Sequence, residues 1–164
     1  MWHGNDAKTL TDKIAVALLY YGLLRSKEVL ILKYKDVKLN IMDDVEVDFP
    51  YRTKRTAKVF SFKVPKFLKP TFSNYMTQFK QDENTLEQRF LKNWSGCKDG
   101  FRRTQNYGAN KVALLAKKVA EFLGKTGPYT SHSFRRSTAT ILAEAGISVV
   151  RLVHPGRWKS VVTA

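Results

Sequence analysis

Residues 45–64 read Val45-Glu46-Val47-Asp48-Phe49-Pro50-Tyr51-Arg52-Thr53-Lys54-Arg55-Thr56-Ala57-Lys58-Val59-Phe60-Ser61-Phe62-Lys63-Val64. Val45, Val47 and Phe49 alternate with acidic residues, and Phe60, Phe62 and Val64 alternate with Ser61 and Lys63. A period of two puts successive side chains on opposite faces, so each run predicts a strand with one apolar face, and the two together predict a hairpin. The expected connection, Pro50 to Thr56, carries three positive charges (Arg52, Lys54 and Arg55) and no negative one.

Outward from this hairpin the apolar period lengthens to that of a helix. Upstream, Thr9-Leu10-Thr11-Asp12 has the form of a capping box. Ile14, Ala17, Leu18 and Tyr21 follow at helical spacing, with Gly22 as the expected stop. A second short helix is expected over about 26–33, with Val29, Leu30 and Leu32 turned inward. Downstream, Pro65 closes the strand, and helical patterns occupy about 66–80, 85–94 and 109–123, the last ending at Gly124. Gly127-Pro128 forces a loop, a helix follows over about 133–145 before Gly146, and a short one over about 148–153. The expectation is an α+β fold, mostly helical with one small antiparallel sheet. No linker or repeat divides residues 1–164, so a single domain is expected.

Composition narrows the class of function. The chain has 164 residues, 43% of them hydrophobic, enough to build a core. Its formal net charge is +15, and the excess is uneven: residues 1–49 hold 7 basic and 8 acidic side chains, residues 50–164 hold 22 and 6. Charge concentrated in this way opposes compaction unless it meets an anionic partner, and nucleic acid is the commonest. One cysteine, Cys97, excludes an intramolecular disulfide framework and suits an intracellular, reducing compartment. The longest apolar run, Ile14 to Leu24, is too short for a membrane span, and Met1-Trp2-His3-Gly4-Asn5-Asp6 lacks the order of a secretory signal. No membrane role is expected.

The chain contains no phosphate-binding glycine loop and no Gly-x-Ser-x-Gly elbow, and Cys97, His3, His132 and His154 match no metal-ligand spacing, so neither a cofactor nor a metal is expected. Three clusters remain. Arg25 lies between two apolar stretches, with Glu28 one helical turn on, close enough to hold its guanidinium. An exposed ion pair at this spacing reads the same way and contributes only a few tenths of a kcal/mol. Tyr129-Thr130-Ser131-His132-Ser133-Phe134-Arg135-Arg136-Ser137 opens a helix that Ser131 or Ser133 can cap. His132 and Arg135, three apart, then face one side of the first turn, where backbone N–H groups favour an anion. The alternative is a capped amphipathic helix with a solvated Arg135-Arg136 pair. In His154-Pro155-Gly156-Arg157-Trp158-Lys159-Ser160, Trp158 is either a half-buried aromatic between cations or an indole N–H donor to phosphate.

In this order the clusters resemble the catalytic domain of tyrosine recombinases, the phage-integrase-like enzymes of DNA strand exchange. Tyr21-Gly22-Leu23-Leu24-Arg25-Ser26-Lys27-Glu28, the basic hairpin, His132-Ser133-Phe134-Arg135 and Gly156-Arg157-Trp158 carry the resemblance, which covers nearly the whole chain. The wording around His132 and the form Gly-x-Trp-Lys-Ser look most like recombinases of eukaryotic Crypton-type mobile elements. The resemblance implies that Arg25 and Arg135 clamp the scissile phosphate, that Glu28 supports Arg25, that His132 assists proton transfer and that Trp158 donates to the phosphate. It assigns the general acid to a hairpin lysine. Lys54 is the choice here, although Arg52 stands where it could take the place; a guanidinium pKa of roughly 12.5 or above makes Arg52 a poor proton donor.

The resemblance further implies phosphoryl transfer through a 3′-phosphotyrosyl link, without metal or cofactor, on double-stranded DNA. Arg52, Arg55, Lys58 and Arg136 are expected DNA contacts. The family's nucleophilic tyrosine follows the Trp158 position, and none of this chain's seven tyrosines does. The expectation is therefore either a domain truncated before its nucleophile or a non-catalytic DNA-binding domain derived from a recombinase. A nuclear location is expected, with homo-oligomers on DNA when the domain is complete. From another class, a basic RNA-binding or assembly protein with an accidental His-x-x-Arg would share the charge, but shows no RNA-binding motif.

Overall fold

The first helix, α1 (Ala7–Tyr21), buries Leu10, Ile14, Ala15, Ala17, Leu18 and Leu19. A helix apolar on so much of its circumference cannot lie at a surface. In the computed structural model of the chain, which describes residues 7–40, 45–52, 56–78, 84–94 and 102–148, it is the central element. After it come α2 (Ser26–Ile31), β1 (Val37–Leu39), β2 (Val45–Arg52), β3 (Ala57–Val64), α3 (Lys69–Thr77), β4 (Lys92–Trp94), β5 (Arg102–Asn106), α4 (Ala109–Phe122) and α5 (Ser131–Glu144). Short 3-10 turns stand at Tyr34–Asp36, Lys66–Leu68 and Thr85–Glu87. Helix α1 packs against all four other helices and against β3 and β4. The fold is mostly helical with small antiparallel sheets.

The hairpin forms as its period predicts. Strands β2 and β3 pair antiparallel with Val45 opposite Val64, Val47 opposite Phe62 and Phe49 opposite Phe60. Val45, Val47, Phe49 and Val64 are buried. The pairing runs further than expected, through Pro50, Tyr51 and Arg52 opposite Val59, Lys58 and Ala57, which moves the start of the loop past Arg52. Pro50 is tolerated because β1 pairs β2 only along Val45–Val47, so at Pro50 the strand has a partner on one side. Strand β1, too short to show a period, completes a sheet of order β1-β2-β3.

Several boundaries differ from the sequence reading. Helix α1 starts before Thr9-Leu10-Thr11-Asp12, so that segment is no cap. Thr11 is instead buried and donates its hydroxyl to the Lys92 carbonyl, 2.9 Å away. Asp12 accepts from the Tyr107 hydroxyl and from Lys118. Gly22 follows α1, but the left-handed residue is Leu23, at φ 49°. Gly22 serves close approach: a Cβ there would lie 2.3 Å from the Phe62 ring. The expected helix over 66–80 is a 3-10 turn followed by the shorter α3. The expected helix over 85–94 is a 3-10 turn and strand β4, which pairs antiparallel with β5. Helix α4 falls as predicted, α5 begins two residues earlier than expected, at Ser131 with Thr130 at its N-cap, and Gly124 and Gly146 take the positive φ of helix ends. The buried face of α5 ends at Ala139; Leu142 is half-buried and Ala143 exposed. The short helix expected over 148–153 lies outside the described residues, apart from Ser148.

Candidate phosphate-binding site

The α1–α2 connection and the start of α5 meet at one pocket. Leu24, Arg25, Ser26, Lys27, Ser131, His132 and Arg135 line it, and its volume is about 330 Å³. Two segments separated by more than a hundred residues thus converge, joined by a hydrogen bond of 2.6 Å between the hydroxyls of Ser26 and Ser131.

Arg25 sits at the N-cap of α2 in extended backbone. Glu28, one turn on, accepts twice from it: Oε2 from the backbone N–H at 2.7 Å and Oε1 from Nη1 at 2.8 Å. The carboxylate therefore caps the helix and aims the guanidinium at once. The Arg25 side chain stays 47% exposed. Arg135 is the opposite case. It is 2% exposed, among the largest fully buried side chains, and its Nη1 donates to the Leu23 carbonyl. Leu23 turns its carbonyl there by adopting the left-handed conformation, at a cost of about 1 kcal/mol for a residue with a Cβ. A guanidinium has five N–H donors in a fixed fork, so a bond to Leu23 fixes the plane of Arg135 and leaves donors for other acceptors.

His132 lines the same pocket and is exposed. Its pKa is lowered, first by partial burial and then by the positive charges of Arg136, Arg135 and Arg25. Three cations raising the cost of a proton on one imidazole mark the pocket as electropositive. Arg136 is exposed beside it. At the start of α5, Ser133 completes the cap by accepting the Thr130 N–H at 3.1 Å, while Ser131 turns to Ser26 instead of capping.

The hairpin borders the site through Glu28, which also lines a neighbouring groove with Ile31, Tyr51, Lys58 and Val59. Lys58 is exposed there. Lys54, Arg55 and Trp158 lie outside the described residues, and Arg52 is described by its backbone alone, at the end of β2. Of the expected site residues, the pocket thus brings together Arg25, His132 and Arg135, with Glu28 behind Arg25. Sequence reading missed Ser26 and Lys27 as lining residues and gave Ser131 only a capping role. Their adjacency to Arg25 and His132 was the available signal. Among the described residues no cluster of metal-binding side chains occurs, and no helix is long and apolar enough to cross a membrane.

The model of the phage integrase family matches residues 3–164. No curated protein matches. Among solved structures, the chain is similar to the XerH site-specific recombinase bound to difH substrate in a pre-cleavage complex, with TM-score 0.70, 15% identity, and coverage of 96% of this chain and 42% of that one. It is similar to XerA recombinase with TM-score 0.62 and 16% identity, over 99% of this chain and 58% of that one. The Tn1549 transposon integrase in complex with circular intermediate DNA gives TM-score 0.60 and 18% identity, over 97% and 53%. At these identities the likeness is one of fold, and the chain spans less than two thirds of each of these structures.

Proposed function

Since the chain belongs to the phage integrase family of tyrosine recombinases, we propose that its pocket binds the scissile phosphate of double-stranded DNA for strand exchange. The observation that carries this reading is the convergence of Arg25, His132 and Arg135 on one cavity. Similar structures that contain DNA, those of XerH and the Tn1549 integrase, support duplex DNA as the partner.

In this reading Arg25 and Arg135 bind the two non-bridging oxygens and stabilise the charge that grows on them as the phosphorus is attacked, the role that metal ions fill in other phosphoryl transfers. Glu28 holds Arg25 in place and Leu23 holds Arg135. In its neutral form, His132 can accept a proton from an attacking hydroxyl and return it in the reverse step. A tyrosine oxygen forms the new bond to phosphorus as the bond to the 5′ oxygen breaks, and the departing oxygen takes a proton from Lys54 on the hairpin. Trp158 adds an N–H donor. Arg52, Arg55, Lys58 and Arg136 contact neighbouring phosphates without reading sequence. The link conserves the energy of the broken phosphodiester, so the hydroxyl of another strand can reverse it without ATP.

None of the chain's seven tyrosines lines the pocket; Tyr129 lines a different, apolar groove beside α1 and α4. That observation favours two alternatives: a nucleophile supplied from outside these residues, or a recombinase-derived domain that binds DNA without cutting it. One experiment separates them. The protein extended through the next tyrosine of its gene is incubated with nicked duplex DNA and resolved on a denaturing gel. The enzymatic reading predicts a covalent adduct that Arg25→Ala abolishes. Duplex binding with no adduct from any extended form would select the binding domain, and absence of duplex binding would overturn both.

A further inference from the structure

The pocket contains a pair of hydroxyls that neither a helix cap nor the arginine clamp uses. Ser26 follows Arg25 and Ser131 precedes His132; both line the cavity, and their oxygens are 2.6 Å apart. Each serine has one proton to donate and two lone pairs. A bond between the two hydroxyls uses one of the two protons, and either oxygen can be the donor. Whichever serine accepts keeps its own proton, on a rotor inside a cavity whose other polar side chains are Arg25, Lys27, His132 and Arg135. Arg25, Lys27 and Arg135 only donate, and the neutral form of His132 offers the single acceptor nitrogen among the cavity's other side chains. A bound anion supplies acceptors facing the same cavity.

We propose that the Ser26–Ser131 hydroxyl pair is a further phosphate-binding element of this site, donating one hydrogen bond to the bound phosphate while its other proton ties the α1–α2 connection to the start of α5. The proposal rests on the phosphate-site reading above and adds two residues to it. The mutual bond also polarises the donating hydroxyl, since a hydroxyl that accepts a hydrogen bond donates a stronger one. Because the pair bridges the neighbours of Arg25 and His132, it sets the spacing of the two halves of the site before any phosphate arrives. A bound phosphate therefore meets a preformed cradle.

The test uses the whole 164-residue chain, with inorganic phosphate as the probe and the His132 imidazole NMR signal as the reporter, at fixed pH and ionic strength. Wild type is expected to show saturable shifts, and Arg25→Ala to weaken the affinity they report at least about tenfold. The double variant Ser26→Ala with Ser131→Ala is expected to bind phosphate about tenfold or more weakly, the size of a hydrogen bond to a charged acceptor. Ser26→Cys with Ser131→Cys keeps the shape and replaces O–H by the weak S–H donor, so it should show the same loss even if the alanine pair unfolds. Restoring hydroxyls as Ser26→Thr with Ser131→Thr should recover affinity. Wild-type phosphate affinity in a folded alanine or cysteine double variant would overturn the role of the pair and leave the phosphate site standing. No saturable shift in wild type would overturn the site itself.

Discussion

Arg25 and Arg135 share a pocket but sit in opposite surroundings, and that decides what each substitution tests. Arg135→Ala removes a buried charge and the donor to Leu23, so a loss of about 3 kcal/mol in denaturant unfolding is expected, and phosphate binding falls with it. Arg25→Ala removes a half-exposed side chain whose pair with Glu28 contributes less than about 1 kcal/mol. It should leave the unfolding midpoint nearly unchanged while phosphate affinity drops at least about tenfold. Equal stability loss in the two variants would contradict this division. His132 supplies a pH signature. In the free protein its pKa is lowered by burial and by Arg136, Arg135 and Arg25. The unfolded chain therefore takes up that proton first, and the contribution of His132 to stability is lost as pH falls below the ordinary imidazole value. Bound phosphate supplies the opposite charge and raises the pKa. Duplex affinity should therefore increase from about pH 8 to pH 6, by up to about tenfold per unit of pKa difference. His132→Asn should flatten that rise, and an unchanged rise in this variant would place the titration elsewhere.

At the scale of elements, Gly22 shows how the site is held against the sheet. An added methyl would meet the Phe62 ring at 2.3 Å and the Leu18 carbonyl at 2.8 Å. Gly22→Ala is expected to destabilise by about 1–3 kcal/mol, and Phe62→Leu in the same chain to recover part of that loss. Strictly additive losses in chemical denaturation would argue against this contact. The β2–β3 hairpin was legible because its apolar side chains alternate. The β4–β5 hairpin was not, because Arg102-Arg103-Thr104-Gln105-Asn106 carries no apolar alternation. What defines β4 lies elsewhere in the chain. The Tyr75 hydroxyl donates to the Phe90 carbonyl and accepts the Lys92 N–H, while Thr11 donates to the Lys92 carbonyl. The spacing of Leu86, Phe90 and Leu91 imitates a helix, yet the Phe90 N–H bonds the Leu32 carbonyl and the Leu91 carbonyl receives the Tyr107 N–H. A local period cannot reveal partners so distant in sequence.

For the molecule as a whole, the net charge of +15 indicated an anionic partner but not where it binds. Part of that charge is engaged internally: Lys118 pairs with Asp12, Lys33 and Lys35 with Glu87, and Lys38 with Asp48. Lys58 and Arg136 are exposed, and their substitution is expected to weaken duplex binding more than substitution of these paired lysines. The convergence of Arg25 with His132 and Arg135 followed from the order of motifs and their resemblance to a family, since no periodicity predicts contacts across more than a hundred residues. The Ser26–Ser131 bond, a product of the same convergence, had no sequence signal beyond adjacency. One phosphate group is expected to occupy this convergence. A structure of the chain bound to duplex DNA tests it most directly. A single backbone phosphate is predicted within about 2.7–3.2 Å of donors from both Arg25 and Arg135, with the His132 ring beside it. DNA held on another face, with the two guanidinium groups touching no common phosphate, would contradict it.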